Sequence, residues 1–174
     1  MGLPGNLLVA FMAGAVVYLS SRGVWQVSKG HIAEFAILAF TITFARELIK
    51  DIEDMEGDKQ ADCNTFPLTY GISKTKLLIY ISLGISAIGI LFNTIFQAIY
   101  TYPISGLSKE WIKILSGNSI LPMLIYTAVI LAPRMASICI STFKANSTGD
   151  FRQVSLKLKW LMILGIIGVL FTPI

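Results

Sequence analysis

Acidic residues are almost absent from this 174-residue chain except in one place. Of ten aspartates and glutamates, seven (Glu47, Asp51, Glu53, Asp54, Glu56, Asp58 and Asp62) fall within sixteen positions. Histidine occurs once, at His31, where a span begins. The two cysteines, Cys63 just after the acidic stretch and Cys139 in an apolar run, make no disulfide framework. Charge as a whole is scarce: 14% of the residues are charged and 55% are hydrophobic, too apolar for an ordinary soluble domain of this size. Internal repeats and low-complexity tracts are lacking as well. The opening Met1-Gly-Leu-Pro-Gly-Asn6 does not have the basic leading region of a cleavable signal peptide.

What is there instead is a series of charge-free runs. Residues 1–21, 77–108, 114–133 and 160–174 carry no charge. A spanning helix needs about twenty mainly apolar residues, so three of these runs suffice alone. The reading is an all-α polytopic bundle with about five transmembrane spans, roughly 5–21, 31–49, 77–100, 117–142 and 160–174. The net charge of +4 does not indicate nucleic-acid binding, because the basic residues sit at span boundaries. One face of the membrane receives Arg46, Lys50, Lys59, Lys74, Lys76, Lys144, Arg152, Lys157 and Lys159. The other receives Arg22, Lys29, Lys109 and Lys113. The positive-inside rule puts the first face, with the acidic stretch and the 144–159 loop, in the cytoplasm, as expected of a protein of the cell inner membrane. Tyr18, Trp25, Tyr100, Tyr102, Trp111 and Trp160 fall near the expected interfaces.

Concentrated negative charge beside a membrane is expensive unless something cationic binds there. At 100° per residue, Glu47, Asp51, Asp54 and Asp58 fall within about 60° of one another on a continuous helix. Four such carboxylates repel each other in a bare helix, and a divalent cation turns that repulsion into coordination. Oxygen-only ligands suit magnesium. Asp51, Asp54 and Asp58 are therefore candidate ligands of Mg2+ bound with a diphosphate. Lys50, Lys59 and Arg46 are candidates for direct contact with its oxygens. The plainer alternative is a solvated helix end with Lys50 and Asp54 paired at i, i+4. A calcium-loop reading fails, since counting from Asp51 puts Glu56 where glycine is needed and Asp62 at the twelfth position, where glutamate belongs.

Other candidates divide between chemistry and architecture. Arg134 lies inside an apolar run and faces either a polar cavity or an interface. Pro133 beside it is expected to kink its helix. Tyr70 and Lys74 fit an ordinary turn and helix start with Gly71 as breaker better than a phosphate contact. Asn6, polar in an apolar run, is of the kind that packs against another helix.

The stretch Arg46-Glu-x-x-Lys50-Asp-Ile-Glu-Asp54-Met-Glu-Gly-Asp58-Lys59, followed by Thr65-Phe-Pro67 and Gly71, resembles the second aspartate-rich motif of UbiA-type intramembrane prenyltransferases. Its Asp-x-x-x-Asp is Asp54 and Asp58, with Asp51 as an upstream carboxylate. Gly2-Leu-Pro-Gly-Asn6 is similar to the start of that family's fifth span. The resemblance thus makes residues 1–174 the C-terminal portion of such an enzyme. It implies a helical bundle in which a polyprenyl diphosphate ionises with Mg2+ and the allylic cation is captured by an acceptor. That acceptor is a lipid of the geranylgeranylglyceryl phosphate type or an aromatic quinone precursor. The pattern is most similar to geranylgeranylglycerol-phosphate geranylgeranyltransferases. The family's first motif, Asn/Asp-x-x-Asp-x-x-x-Asp, has no counterpart in the chain, which implies a missing N-terminal half as partner and an inactive isolated chain. Asp62 stands where relatives often carry glycine. A reading from a different class is a non-catalytic membrane fragment or a cation-binding or transport subunit. Such a protein would place ionisable groups near the bilayer midplane on several spans.

Overall fold

The computed structural model describes residues 2–20, 29–101 and 125–169, and side chains within these except at 29–32, 93–94, 96–101 and 168–169. Every regular element among them is helical: α1 (Leu3–Ser20), α2 (Lys29–Glu53), α3 (Met55–Gln60), α4 (Phe66–Tyr70), α5 (Ile72–Thr101), a π-helical turn (Thr127–Leu131), α6 (Ala132–Lys144) and α7 (Thr148–Val169). Expectations for His31, Trp25, Tyr100, Tyr102, Trp111 and the basic residues Arg22, Lys29, Lys109 and Lys113 lie outside the described residues or side chains. So do the beginning of the fourth expected span and the end of the fifth.

Helix α2 is the centre of the bundle and packs against α1, α5 and α7, while α6 packs on α7 and α5. Its buried face follows helical spacing, with Phe44, Ala45, Leu48, Ile49 and Ile52 meeting Ile79 and Leu83 of α5. Phe151, Val154, Leu158 and Leu161 of α7 and Met135 and Ile138 of α6 complete the core. This core lies at the end of α2 that carries the acidic stretch, so the candidate site rests on the buried core of the described residues.

Helix α1 packs on α2 with small and polar residues at its fully buried positions, Asn6, Ala10 and Gly14. A Cβ added at Gly14 would lie 2.9 Å from the Ala36 carbonyl oxygen and 3.3 Å from Phe40 Cβ. That is the small-residue contact by which helices approach closely in lipid. The large side chains of α1 face outward, with Leu8, Phe11, Met12, Val16 and Leu19 exposed. On α5, Leu77, Ile81, Ile85, Ile88, Leu91 and Phe92 do the same. Exposed apolar faces of this kind mark a surface that meets lipid or another protein. Among the described residues, two helices, α1 and the Ile72–Phe92 part of α5, are long and apolar enough to cross a membrane.

Three local features differ from, or refine, the sequence reading. Helix α7 begins at Thr148, twelve residues before the expected fifth span. Its start is set by a reciprocal cap: Asp150 N–H donates to Ser147 Oγ at 3.3 Å, and Ser147 N–H donates to Asp150 Oδ2 at 3.0 Å. Lys76 of α5 and Lys157 of α7, expected only as boundary charges, close the C-terminal turn of α6. Lys76 Nζ donates to the Ala145 carbonyl and Lys157 Nζ to Ser141 Oγ, each at 2.6 Å. Pro133 is accommodated by the π-helical turn before it, where Ala132 N–H reaches back to the Thr127 carbonyl. Arg134 follows in the first turn of α6 and is exposed.

Candidate functional site

The acidic stretch comprises the end of α2, a break at Asp54, the short helix α3 and the loop to Thr65. Asp54 has φ −92° and ψ 2°, in the sparsely allowed bridge region. The hydrogen-bond ladder survives the break: Asp54 N–H donates to the Lys50 carbonyl and Asp58 N–H to the Asp54 carbonyl, both at 2.9 Å. Carboxylates three and four residues apart oppose a straight helix, and Gly57 weakens helix propensity just beyond. The break gives Glu56 and Asp58 places in the first turn of a new helix, where the dipole favours negative charge.

Helix α3 ends in a Schellman arrangement, with Ala61 N–H donating to the Gly57 carbonyl and Cys63 N–H to the Asp58 carbonyl. The residue in the left-handed conformation is Asp62, at φ +53°. That is the geometry glycine adopts at no steric cost. The chain then enters α4, with Pro67 in its first turn, and leaves it through Gly71 at φ +86°. Gly71 is thus the expected breaker, and Lys74 lies in the first turn of α5 with its Nζ 5.8 Å from the Tyr70 ring centre.

The expected single face of four carboxylates is divided by environment. Asp51 and Asp58 are half-buried, while Asp54 is exposed in the break. Glu47 takes a hydrogen bond from Arg46 Nη1 at 2.8 Å. Lys50 and Lys59 are exposed on either side of Asp54. The Asp51 carboxylate is tied down from another helix: Asn6 Nδ2 donates to Asp51 Oδ2 at 2.6 Å, and Asn6 is 4% exposed. Burial pushes the Asp51 carboxyl above the ordinary aspartate range. The Asn6 hydrogen bond pulls it back, and the charges of Asp58 and Glu47 push it up again.

Among the described residues, no three histidine, cysteine or acidic side chains converge to enclose a metal ion. The donor chemistry nonetheless fits magnesium, which is ordinarily held by one or two carboxylates together with substrate phosphates rather than by a protein cage. Asp51 and Asp58, close enough for one charge to act on the other, are such a pair. The sequence reading missed the Asn6–Asp51 bond because the two residues are 45 positions apart. The one available signal was an amide in the first turn of an otherwise apolar helix.

Comparison with known proteins finds several curated relatives named digeranylgeranylglyceryl phosphate synthase. The protein from Methanosphaera stadtmanae is 43% identical over 74 residues, 42% of this chain and 26% of the relative. That from Methanospirillum hungatei is 40% identical over 93 residues, 52% of this chain and 31% of the relative. The Pyrococcus furiosus protein is 37% identical over 76 residues, 44% and 27% respectively. The matched stretches therefore span between a quarter and a third of the relatives' length. No family profile and no solved structure matches the chain. The resemblance to UbiA-type prenyltransferases drawn from the acidic stretch agrees with these relatives, and over about half its length the chain is similar to digeranylgeranylglyceryl phosphate synthases.

Proposed function

We propose that residues 1–174 are the C-terminal portion of a UbiA-type prenyltransferase, carrying one side of its active site at the cytoplasmic surface of the cell inner membrane. In this reading the five spans of the sequence analysis form the bundle, and its acceptor is a glyceryl phosphate already bearing one prenyl ether. The observation that supports it best is the joint one of site and similarity. A half-buried, anchored Asp51 stands beside Asp58 in a chain whose relatives are named for making the digeranylgeranyl product. An aromatic quinone precursor is the alternative acceptor, and the relatives' shared name favours the lipid.

The reaction breaks the allylic C1–O bond of a polyprenyl diphosphate, and the electron pair leaves with diphosphate. A new C–O bond forms to the acceptor hydroxyl, whose proton is released. When bound, Mg2+ would neutralise charge on the departing diphosphate. Asp54, Asp58 and Asp51 would hold that ion. Lys50 and Lys59, exposed next to Asp54, would contact diphosphate oxygens. Arg46 would join them by exchanging its Glu47 partner for phosphate.

The test is prenyl transfer in membranes containing this chain, alone or together with a companion polypeptide supplying the first aspartate motif. It uses radiolabelled geranylgeranyl diphosphate, magnesium, and both acceptor types. The expected result is ether-lipid product only with the companion, lost with EDTA and with Asp58→Ala. Product from the chain alone would overturn the one-sided site. Transfer to the aromatic acceptor alone would overturn the lipid assignment.

A further inference from the structure

We infer that Asn6 is a positioning residue: from α1 it holds one oxygen of Asp51 so that the other is presented to the bound cation. The inference rests on the reading of Asp51 as a cation ligand and extends it to a helix that carries no charge of its own.

Three observations carry it. The hydrogen bond is short, 2.6 Å from Asn6 Nδ2 to Asp51 Oδ2, and it engages one carboxylate oxygen. A bond from an amide to a carboxylate is charge-assisted and directional, so it fixes orientation as well as contact. Asn6 is also the first of the three buried positions on α1, and the third, Gly14, is seated against the Ala36 carbonyl with no room for a Cβ. The two ends of the α1–α2 contact therefore fix each other's register, and Asn6 cannot slide along α2.

The third observation is an internal control. The same bundle contains a buried interhelical pair with neutral partners, Thr41 Oγ1 and Ser86 Oγ at 2.7 Å between α2 and α5. A pair whose only task is to join two helices is served by hydroxyls. The Asn6 pair instead spends its donor on a half-buried carboxylate in the acidic stretch, where neutral partners would be simpler to bury.

The experiment uses the 174-residue chain in lipid nanodiscs with Mn2+ and inorganic diphosphate together as the probe, read by electron paramagnetic resonance, alongside thermal unfolding. Asn6→Leu is expected to weaken Mn2+ binding about tenfold, the effect typical of losing a partner that orients a metal ligand. Thr41→Val is expected to lower the unfolding midpoint to a similar extent and leave Mn2+ affinity unchanged. In an Asp51→Asn background, Asn6→Leu should cost no further affinity, since the two act through one carboxylate. Asn6→Gln, which keeps the amide donor on a longer arm, should retain more affinity than Asn6→Leu and guards against a variant that does not fold. Unchanged Mn2+ affinity in Asn6→Leu, with Asp51→Asn defective, would overturn the positioning role and leave the Asp51 reading standing. Unchanged affinity in Asp51→Asn, or no Mn2+ binding by the unaltered chain, would overturn the Asp51 reading and the positioning role with it.

Discussion

Two acidic turns lie at the ends of helices in this bundle, and they use their carboxylates in opposite ways. Asp150 spends its carboxylate on the backbone, taking N–H bonds from Asn146 and Ser147 at 3.0 Å each, and these bonds hold its pKa below the ordinary range. In the 47–62 stretch the helix break at Asp54 has no side-chain cap, although aspartate is a favoured capping residue. Asp51 is raised, chiefly by burial, although the Asn6 hydrogen bond acts against the shift. An acid that the fold needs is satisfied by the fold. In the proposed reading, an acid left among other acids is held for something that arrives from outside.

The largest effect that separates the two turns is on turnover. In a complete version of the proposed enzyme, Asp54→Ala or Asp58→Ala should lower kcat by about a hundredfold or more, the scale of losing one preorganised electrostatic group. Asp150→Asn should leave kcat unchanged. Near-normal turnover in either of the first two variants, measured by radiolabelled product, would erase the distinction.

Next in size is the contact that brings α1 to the first turn and not to the second. Gly14→Ala puts a methyl 2.9 Å from the Ala36 carbonyl, and the overpacking should cost about 1–3 kcal/mol. Thermal unfolding in detergent would measure it. A neutral Gly14→Ala would mean that α1 has slack and that its register does not depend on this residue.

A smaller effect of opposite sign is expected at Asp62. Glycine there removes the left-handed strain, so Asp62→Gly should stabilise the chain by about 0.5–1 kcal/mol. A loss of stability would show that the carboxylate, not the backbone, accounts for aspartate at this position.

The smallest effect sharpens the comparison through pH. Asp51 has a raised folded pKa, so its contribution to stability is full below the unfolded value and is lost as pH rises through the folded one. Asp150 has a lowered pKa, so its contribution is present above the unfolded value and is lost as pH falls through the folded one. Without divalent cation, Asp51→Asn should therefore raise the unfolding midpoint at neutral pH and have no such effect in acid. Asp150→Asn should lower the midpoint at neutral pH and lose its effect in acid. The same sign for both at neutral pH would contradict the contrast between the turns.

Much of this organisation was legible in the sequence. The charge-free runs 1–21 and 77–108 mark α1 and most of α5, and seven clustered acids mark the place of interest. Gly71 marks the turn before α5, because a breaker between two helical patterns acts through local backbone geometry. What escaped depends on contacts between helices or on competing local signals. The cap at Ser147 and Asp150 starts α7 within a charged segment that hydropathy assigns to a loop. Helical angles alone put Asp54 on one face with Asp51 and Asp58, since the angular rule assumes an unbroken helix. The link between Asn6 and Asp51 could be seen only once α1 was laid against α2.

The π-helical turn at Thr127–Leu131 does more than make room for Pro133. Thr127 and Met135 are both buried although they are eight residues apart, which on an uninterrupted α-helix leaves them about 80° out of line. A widened turn that absorbs one residue reduces the mismatch to about 20°. It lets Tyr126, whose hydroxyl donates to the Leu164 carbonyl at 2.5 Å, face the bundle together with the Met135, Ile138 and Thr142 stripe. The turn works as a phase corrector between two halves of one rod. A chain shortened by one residue here, with Pro133 replaced, is expected to keep both halves in phase as a plain α-helix. The same deletion two turns later would rotate the Ile138–Thr142 face out of the core.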